Sequence, residues 1–371
     1  MNKRLMVVAD ENIPLLDELL GDIAEIRRLP GRGIRAQDVA DADALLVRSV
    51  TRVDAALVDG SRLRFVGSCT IGVDHVDMSA LQQRQIAFAH APGCNAAAVV
   101  DYVLAAMLAI EPSLPVWQQR CVGIVGLGQV GSRLQQRLLA LGINVKACDP
   151  FQPAACHSLA EVLGCDAISL HVPLSHDGEH PTWHLLDSHA LAQMKDGALL
   201  INSSRGAVVD NTALPAAAGR LHLVLDVYEH EPVPAPDLLD CLDIATAHIA
   251  GYSLHGKMRG TLMVVEKMAA VLGLPFSPRA FDRLDSCSRQ LDVACDATAA
   301  AIVRAAYDIR QDSDDFLRAY RAAVSADEQA KAFDDYRKHY ANRYEFSYTK
   351  VAAGDMAAEA IKALGFAGAC Q

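Results

Sequence analysis

The stretch Val122–Gly142, VGIVGLGQVGSRLQQRLLALG, decides the fold. An apolar run typical of a buried strand precedes three glycines, and a helical pattern of leucines follows them. Gly126, Gly128 and Gly131 form the pattern Gly-x-Gly-x-x-Gly at a strand-to-helix turn, where a dinucleotide-binding backbone approaches a pyrophosphate. Because the pattern alone also fits an ordinary glycine-rich turn, the surrounding sequence has to decide between the two interpretations.

The residues after this helix favour nucleotide binding. The next β-rich run, NVKACDP, contains Asp149 near its end, eighteen residues beyond Gly131. A carboxylate at that position accepts a hydrogen bond from a ribose 2'-hydroxyl and repels a 2'-phosphate. We therefore predict that the cofactor is NAD rather than NADP, with its pyrophosphate at the N-terminus of the helix.

Short β-rich runs alternate with helical patterns over most of the chain. Four predicted strands come first, at residues 5–10, 44–50, 63–69 and 86–92. Six more follow, at 122–128, 144–150, 166–173, 197–204, 223–229 and 243–249. Such alternation is typical of parallel α/β architecture. We predict two doubly wound parallel-sheet domains, a Rossmann nucleotide-binding domain and a flavodoxin-like substrate domain, followed by a small α+β C-terminal domain.

Long helices and a proline-rich linker mark the expected domain boundaries. Helices are expected at 95–112, where Asn95 is a candidate N-cap, and at 252–272, with a linker at 274–281. The predicted domains are a substrate-binding lid domain at 1–95 completed by 252–278, a NAD-binding domain at 96–251, and a C-terminal domain at 279–371. We expect the active site in the cleft between the first two domains.

The composition excludes several classes of protein. Of 371 residues, 51% are apolar and 21% are charged, which describes a folded chain of two or three domains. A net charge of -11 argues against a sequence-independent nucleic-acid binder. The ten cysteines include no Cys-x-x-Cys pair, which fits a reducing cytoplasm. The first apolar run stops at Asp10, short of a signal-peptide core, and the apolar run at 96–110 is too short to span a membrane.

Three chemically complementary side chains stand at the ends of successive strands in the second set. These are Arg205, Glu231 and His248, at the ends of its fourth, fifth and sixth strands. Substrates of open α/β sheets bind at such strand ends. An arginine holds a carboxylate through two parallel hydrogen bonds, a histidine takes a hydroxyl proton near neutral pH, and a glutamate orients the imidazole. The set predicts oxidation of a 2-hydroxy acid.

The stretches VGIVGLGQVG, INSSRGAVVDNTAL, LDVYEHEP and HIAGYS resemble the D-isomer-specific 2-hydroxyacid dehydrogenases. The resemblance implies that Arg205, Glu231 and His248 are catalytic, and that the glutamate is the one before proline rather than Glu229. The contacts that it implies are Gly126, Gly128, Gly131, Asp149, Val172, Ser203, Ser204, Asp226 and Gly251 for NAD, and Ser49, Thr70 and Tyr252 for the substrate. Because Val172 stands where the family often has threonine, we expect only backbone contact there.

The resemblance extends to both ends of the chain and implies a narrower substrate. The stretches RSVT, FVGSCTIGVDHVD and HIAGYSLHGKMRGT, with the C-terminal extension, are similar to members that oxidise a small phosphorylated 2-hydroxy acid. They imply a homodimer held by the C-terminal domain. Two alternatives remain open: another acid dehydrogenase, acting on 3-phosphoglycerate or hydroxypyruvate, and a NAD-sensing scaffold without catalysis.

The phosphate of such a substrate needs cations away from Arg205. Arg48, beside Ser49 at the end of ALLVRSV, is the main candidate for this role. Weaker candidates are Arg52, Lys257 and Arg259. We also expect Arg343, in the C-terminal domain, to reach a neighbouring subunit.

One histidine-rich stretch, HVPLSHDGEHPTWHLLDSHA, raises the question of zinc, but we predict no metal. Its histidines are His171, His176, His180, His184 and His189. Pro181 interrupts the spacing of the third and fourth histidines, and the stretch contains no cysteine. Hydride transfer to NAD requires no metal either. We expect a solvated loop.

Overall fold

The chain folds into two compact units. The computed structural model describes residues 4–152, 157–294, 296–352 and 358–369. One unit is Met1–Asn95 with Ser253–Ser288, and the other is Ala96–Tyr252 with Arg289–Gln371.

The first unit contains a five-stranded parallel sheet. Its elements up to residue 95 are β1 (Leu5–Asp10), α1 (Leu16–Leu20), β2 (Ala24–Leu29), α2 (Ala36–Val39), β3 (Ala44–Val47), α3 (Ala55–Val58), β4 (Phe65–Ser68), α4 (Met78–Gln83) and β5 (Ala87–His90). The strand order β2-β1-β3-β4-β5 is that of flavodoxin-like folds. Every residue of β3 and β4 is buried, as expected for inner strands of a sheet covered on both faces.

The second unit contains a six-stranded parallel sheet. Its elements up to residue 252 are α5 (Ala96–Ile110), α6 (Leu114–Gln118), β6 (Cys121–Val125), α7 (Gly131–Ala140), β7 (Asn144–Cys148), α8 (Leu159–Leu163), β8 (Ala167–Leu170), α9 (Ser188–Gln193), β9 (Leu199–Asn202), α10 (Leu214–Ala217), β10 (His222–Leu225), α11 (Pro236–Asp240) and β11 (Ile244–Ala245). The strand order is β11-β10-β9-β8-β6-β7. Because β7 and β8 flank β6 on opposite sides, the order reverses at β6. Nucleotides bind outside the carboxyl end of such a strand, which is where the glycine-rich turn begins.

The chain then returns to the first unit through a long helix. This part consists of α12 (Leu254–Leu272) and α13 (Arg283–Ser286). The Ser253 hydroxyl caps the N-terminus of α12 by accepting a hydrogen bond from the Gly256 amide at 2.8 Å. Val264 and Met268 belong to the buried cluster that also contains residues of β1 and β3, so α12 covers one face of the first sheet.

The remaining elements belong to the second unit. They are β12 (Arg289–Asp292), α14 (Ala299–Ala306), α15 (Ile309–Arg321), α16 (Ala326–Lys338), β13 (Thr349–Ala352), α17 (Ala358–Leu364) and β14 (Gly368–Ala369). The three strands form a parallel sheet in the order β12-β13-β14. Ile302 shares a buried cluster with Tyr102 of α5, and Phe333 shares another with Tyr228. The C-terminal segment is therefore part of the hydrophobic core of its unit.

The predicted fold class is confirmed, with differences in single elements. β2 was not predicted, because its sequence AEIRRL has no continuous apolar run. α14 and α15 are separate helices, since Asp308 begins α15 by accepting hydrogen bonds from the amides of Arg310 and Gln311. Among the described residues, no helix has both the length and the apolar character needed to cross a bilayer.

Candidate active site

The three predicted catalytic residues follow three neighbouring strands. Strand β10 pairs in parallel with β9 on one side and with β11 on the other. Arg205 follows β9, Glu231 follows β10 and His248 follows β11. Because parallel strands end at the same edge of a sheet, the loops that carry these side chains lie next to one another.

His248 and Glu231 are hydrogen bonded. The distance from His248 Nδ1 to Glu231 Oε2 is 2.7 Å, and the side chains are 36% and 23% exposed. The other oxygen, Oε1, accepts a hydrogen bond from the Tyr228 amide at 3.0 Å, which fixes the carboxylate. Burial alone would raise the pKa of Glu231, but the charge and hydrogen bond of His248, with a further contribution from Arg337, lower it. The carboxylate is thus ionised, and it holds a proton on Nδ1 of the imidazole.

Asp226 positions the loop that carries His248. Its buried carboxylate accepts hydrogen bonds from the Thr246 hydroxyl at 2.6 Å and from the amides of Ile249 and Ala250 at 2.7 and 2.8 Å. His248 has a φ of 56°, in the left-handed region that non-glycine residues rarely adopt. Burial raises the pKa of Asp226, although the charge of His248 and these hydrogen bonds oppose the shift. The structure gives Asp226 a positioning role, and its predicted contact with NAD stays a prediction.

The Arg205 loop is shaped by its neighbours. The Asn202 side chain donates to the Arg205 carbonyl at 2.9 Å and accepts from the Ser204 hydroxyl at 2.9 Å. A Cβ on Gly206 would lie 1.9 Å from the carbonyl carbon of Tyr228. Only glycine therefore permits this approach, so the loop that carries Arg205 packs directly against the loop that leads to Glu231.

The glycine-rich turn fits a pyrophosphate. Gly126 has a φ of 92°, and a Cβ there would lie 2.6 Å from the His171 carbonyl oxygen and 2.9 Å from Val172. A Cβ on Gly131 would lie 1.9 Å from the Gly126 carbonyl oxygen, so the first turn of α7 packs directly on the loop. At Gly128, in contrast, no atom of the described residues beyond its own chain neighbours lies within 4 Å of the same position. The backbone is thus tight at both ends and open in the middle, where a phosphate would bind.

Two further predicted cofactor contacts are consistent with a bound nucleotide. Asp149 accepts hydrogen bonds from the amides of Leu127 and Phe151 at 2.8 and 2.9 Å, which hold its carboxylate beside the glycine-rich turn. The Ser203 hydroxyl is buried and has no hydrogen-bond partner among the described residues. A buried hydroxyl is normally satisfied, so this one suits a polar group of a ligand. The residues present fit NAD, and Gly251 stays a prediction.

The predicted substrate contacts of the first unit lie in separate local environments. Arg48 Nε is 3.2 Å from Oδ1 of the fully buried Asp10, so the charge of Arg48 is already balanced by a carboxylate. Ser49 is exposed, whereas the Thr70 hydroxyl is 2.9 Å from that of Ser68. Of the weaker candidates, Arg52 is an exposed side chain paired with Asp54, and Arg259 donates to the Cys94 carbonyl. A role of Arg48 in phosphate binding stays a prediction.

The histidine-rich stretch is only partly a solvated loop. His176, His180 and His189 are exposed, but burial lowers the pKa of His171 to about 3, and its Nε2 is 2.9 Å from the Ser169 hydroxyl. His184 Nε2 lies 3.2 Å from Glu229 Oε1, and Asp210 completes a group whose potential ligand atoms lie within 4.8 Å of one another. The stretch thus contributes one histidine to a group that could hold a cation, and the absence of a metal stays a prediction.

Two arginines of the C-terminal segment, Arg337 and Arg343, lie in enclosed positions of the second unit. Arg343 is 7% exposed, donates to the carbonyls of Ala98 and Ala250, and stacks over Tyr307. Both hydrogen bonds use Nη2, whereas Nη1 is buried and has no hydrogen-bond partner among the described residues. The expectation that Arg343 reaches a neighbouring subunit stays a prediction. Arg337, which no motif indicated, lies beside Tyr252, a predicted substrate contact. No sequence signal could have found it, because 85 residues separate the two positions.

Family models and curated relatives agree on the class of protein. The model described as "D-isomer specific 2-hydroxyacid dehydrogenase, NAD binding domain" matches residues 111–250, and a "Domain of unknown function (DUF3410)" matches residues 282–365. The Rossmann-type sheet, the glycine-rich turn and the three strand-end side chains described above belong to this class. The chain has an NAD-binding domain of the 2-hydroxyacid dehydrogenase type, which confirms the predicted cofactor.

Relatives of similar length narrow the class. The chain is 48% identical over 355 residues to the erythronate-4-phosphate dehydrogenase of Pseudomonas entomophila, covering 92% of each chain. It is 48% identical over 364 residues to that of Azotobacter vinelandii, covering 94% of each. It is also 44% identical over 382 residues to that of Marinobacter nauticus, covering 98% of this chain and 99% of the relative. The chain belongs to the erythronate-4-phosphate dehydrogenase family.

Solved structures support the fold. TT0316 protein from Thermus thermophilus is 30% identical with a TM-score of 0.63, covering 72% of this chain and 97% of the other. The D-lactate dehydrogenase of Aquifex aeolicus, complexed with NAD and lactic acid, is 24% identical with a TM-score of 0.61, covering 72% and 96%. The second likeness is evidence for the fold alone.

Proposed function

We propose that this chain oxidises 4-phospho-D-erythronate to (R)-3-hydroxy-2-oxo-4-phosphooxybutanoate with NAD, as a step of pyridoxal phosphate biosynthesis. The observation that carries the proposal is the 2.7 Å hydrogen bond between His248 Nδ1 and Glu231 Oε2. These residues follow the paired strands β11 and β10, and β10 pairs on its other side with β9, the strand that Arg205 follows. The family relation supports the phosphorylated four-carbon substrate.

His248 is the proposed acid and base. Since the ionised Glu231 carboxylate can only accept, Nδ1 of the neutral ring carries the proton and donates the hydrogen bond. Nε2 is left with a lone pair. Nε2 removes the proton of the C2 hydroxyl, and Glu231 stabilises the imidazolium that results. The chemistry that NAD would supply when bound is acceptance of the hydride from C2. In the reverse direction, Nε2 returns the proton to the 2-oxo group.

Arg205 is the proposed carboxylate ligand. Its planar guanidinium suits the C1 carboxylate, to which it can donate two parallel hydrogen bonds. Its positive charge also stabilises the negative charge that develops on the C2 oxygen as the ketone forms. Binding and catalysis should therefore both depend on this side chain.

The remaining residues and domains are assigned by the same proposal. Cofactor contacts are proposed at Gly126, Gly128, Gly131, Asp149, Val172, Ser203, Ser204, Asp226 and Gly251, and substrate contacts at Arg48, Ser49, Thr70 and Tyr252. Residues 1–95 with 252–278 would bind the substrate, 96–251 would bind NAD, and 279–371 would hold a homodimer. The site of action proposed is the cytoplasm.

The test is the formation of NADH by the purified protein. We would supply 4-phospho-D-erythronate, D-3-phosphoglycerate and D-lactate in parallel, with and without an added 2-oxo acid that can reoxidise bound NADH. A strong preference for the first substrate is expected. Preference for another acid would refute the substrate but retain the chemistry, whereas no turnover on any of them would refute the enzyme itself.

A further inference from the structure

Helix α16 places an arginine beside the catalytic loops. Phe333 and Arg337 are one turn apart and share a face of the helix. The ring of Phe333 lies 6.4 Å from that of Tyr228, on the loop that leads to Glu231. The guanidinium carbon of Arg337 lies 5.4 Å from the ring centre of Tyr252 and 5.8 Å from that of Phe333. The helix thus packs over the loops that follow β10 and β11.

The guanidinium of Arg337 has no hydrogen bond or close ion pair with the described residues. Its Nε is buried and has no hydrogen-bond partner there. Arg48 and Arg343 also have one buried nitrogen each without a hydrogen-bond partner there. They differ from Arg337 in that Arg48 forms an ion pair with Asp10 and Arg343 donates to two carbonyls. Burying a cation whose donors are unsatisfied is costly, so a site of this kind is expected to receive an anion.

The Glu231 carboxylate, whose charge acts on Arg337, is already hydrogen bonded to other groups. Glu231 uses Oε2 for His248 and Oε1 for the Tyr228 amide, so neither oxygen is directed to Arg337. Burial lowers the pKa of Arg337, but the fields of Tyr252, Glu231 and other acidic groups raise it by more. The guanidinium is charged, and it is stabilised at a distance rather than by contact.

We propose that Arg337 binds the phosphate group of the substrate. This inference rests on the proposed function, in which the substrate carries two anionic groups. Arg205 serves one of them, the carboxylate, and Arg337 is a second cation in the same folding unit, next to the predicted substrate contact Tyr252. A planar guanidinium donates two parallel hydrogen bonds to a phosphate as readily as to a carboxylate. The C-terminal segment would then determine the specificity for phosphorylated acids.

The first variant for the test is Arg337→Met. Methionine keeps an extended apolar side chain against the rings of Phe333 and Tyr252 but removes the charge. The matched control is Arg318→Met, because Arg318 is an exposed arginine on α15 that is paired with Asp315. Both variants would be assayed with 4-phospho-D-erythronate and with unphosphorylated D-erythronate, and inorganic phosphate would serve as a competing anion.

The expected result is a selective loss of affinity for phosphate. Arg337→Met should raise KM for the phosphorylated acid by about 10–100-fold, the usual effect of a charge-assisted hydrogen-bonded pair, and weaken inhibition by inorganic phosphate similarly. The KM of Arg337→Met for D-erythronate should stay within about threefold of the wild-type value. The KM values of the Arg318→Met control for the two acids should also stay within about threefold of wild type. Arg337→Lys, which keeps the charge but not the paired donors, should lie in between.

Other outcomes would overturn the inference. An equal rise of KM for both acids, or a fall in kcat with KM unchanged, would show that Arg337 acts by positioning Glu231. If Arg337→Met does not fold, a lysine variant with wild-type affinity for both acids and for phosphate would equally refute it. If the wild type does not oxidise 4-phospho-D-erythronate, the proposed function fails. The anion site is then tested separately, by measuring whether inorganic phosphate raises the thermal unfolding temperature of the wild type and of Arg337→Met. Stabilisation lost in Arg337→Met would support the site, and unchanged stabilisation would overturn it.

Discussion

Replacing Glu231 by glutamine tests the central hydrogen bond of the site. Glutamine has nearly the same shape, and its Oε1 can still accept the hydrogen bond of the Tyr228 amide. Its NH₂ group then faces His248 Nδ1 at the position of the present acceptor, 2.7 Å away. Because an amide donates where the carboxylate accepted, the neutral imidazole must move its proton to Nε2. A ring protonated at Nε2 cannot take the substrate's hydroxyl proton.

The size of the effect follows from two contributions. Loss of a charge-assisted hydrogen bond to the developing imidazolium costs about 1.5–3 kcal/mol, which corresponds to roughly 10–100-fold in rate. Fixing the wrong tautomer raises the total to on the order of 10³–10⁴-fold, as the analogous change does in a serine protease triad. The decrease should be in kcat, because neither contribution involves the ground-state binding of the carboxylate by Arg205.

The assay is steady-state NADH formation at saturating NAD, with Glu229→Gln as the matched control. Glu229 lies two residues away on the same loop, but its carboxylate bonds to His184 and to the Asn211 amide rather than to His248. The kcat of the Glu229→Gln control should stay within about tenfold of the wild-type value, since this change alters only contacts that hold the loop in place. A Glu231→Gln enzyme that retains more than a tenth of the wild-type kcat, or a control that loses as much, would refute the assigned roles.

Four further predictions concern the cofactor turn, the histidine loop and pH. Gly131→Ala should lower the free energy of unfolding by at least about 1–3 kcal/mol in urea, because its Cβ would meet the Gly126 carbonyl at 1.9 Å. Asp226→Asn should cost about 1–3 kcal/mol in the same assay and reduce kcat, because an amide cannot accept from both loop N–H groups. Asp149→Ser should improve kcat/KM for NADP relative to NAD by roughly tenfold or more, since like-charge repulsion is removed. Because the pKa of Glu231 is lower in the folded state, the unfolded state binds more protons as the pH falls. The stabilisation that Glu231 contributes is therefore complete above its ordinary pKa of 4.5 and is lost as the pH falls below that value. Urea unfolding of the wild type and of Glu231→Gln between pH 7 and pH 3 measures this difference.

The main features of the fold could be predicted because its inner strands are continuous apolar runs. β3, β4, β8 and β9 are buried at every residue and stand out in the sequence. β2 is an edge strand with three charged residues among six, and β12, RQLD, is also an edge strand with two charged residues among four, so neither has an apolar signal. The break between α14 and α15 did have a signal, since Asp308 is a typical N-cap residue.

The grouping of the three proposed catalytic residues could be predicted for a topological reason. Parallel strands bring their carboxyl ends to one edge, so Arg205, Glu231 and His248 are neighbours although 43 residues separate the first from the last. The position of Arg337 could not be predicted in this way, because it depends on how helix α16 packs on the loops that follow β10 and β11. Nor could the sequence show that Arg48 is already paired with a buried carboxylate, which weakens the argument from residue type alone.

The geometry of His248 shows why the site needs residues that take no part in the reaction. A non-glycine residue in the left-handed region costs on the order of 1–3 kcal/mol, so it persists only where the surroundings impose it. Here the His248 amide donates to the Asp226 carbonyl at 2.7 Å, and the carboxylate of the same aspartate holds the next two amides. One residue thus fixes the backbone on both sides of the imidazole, while Glu231 fixes the ring. Burial of Asp226 raises its pKa, so keeping this carboxylate ionised costs free energy. The position of the proposed catalytic histidine therefore depends on stabilisation elsewhere in the fold.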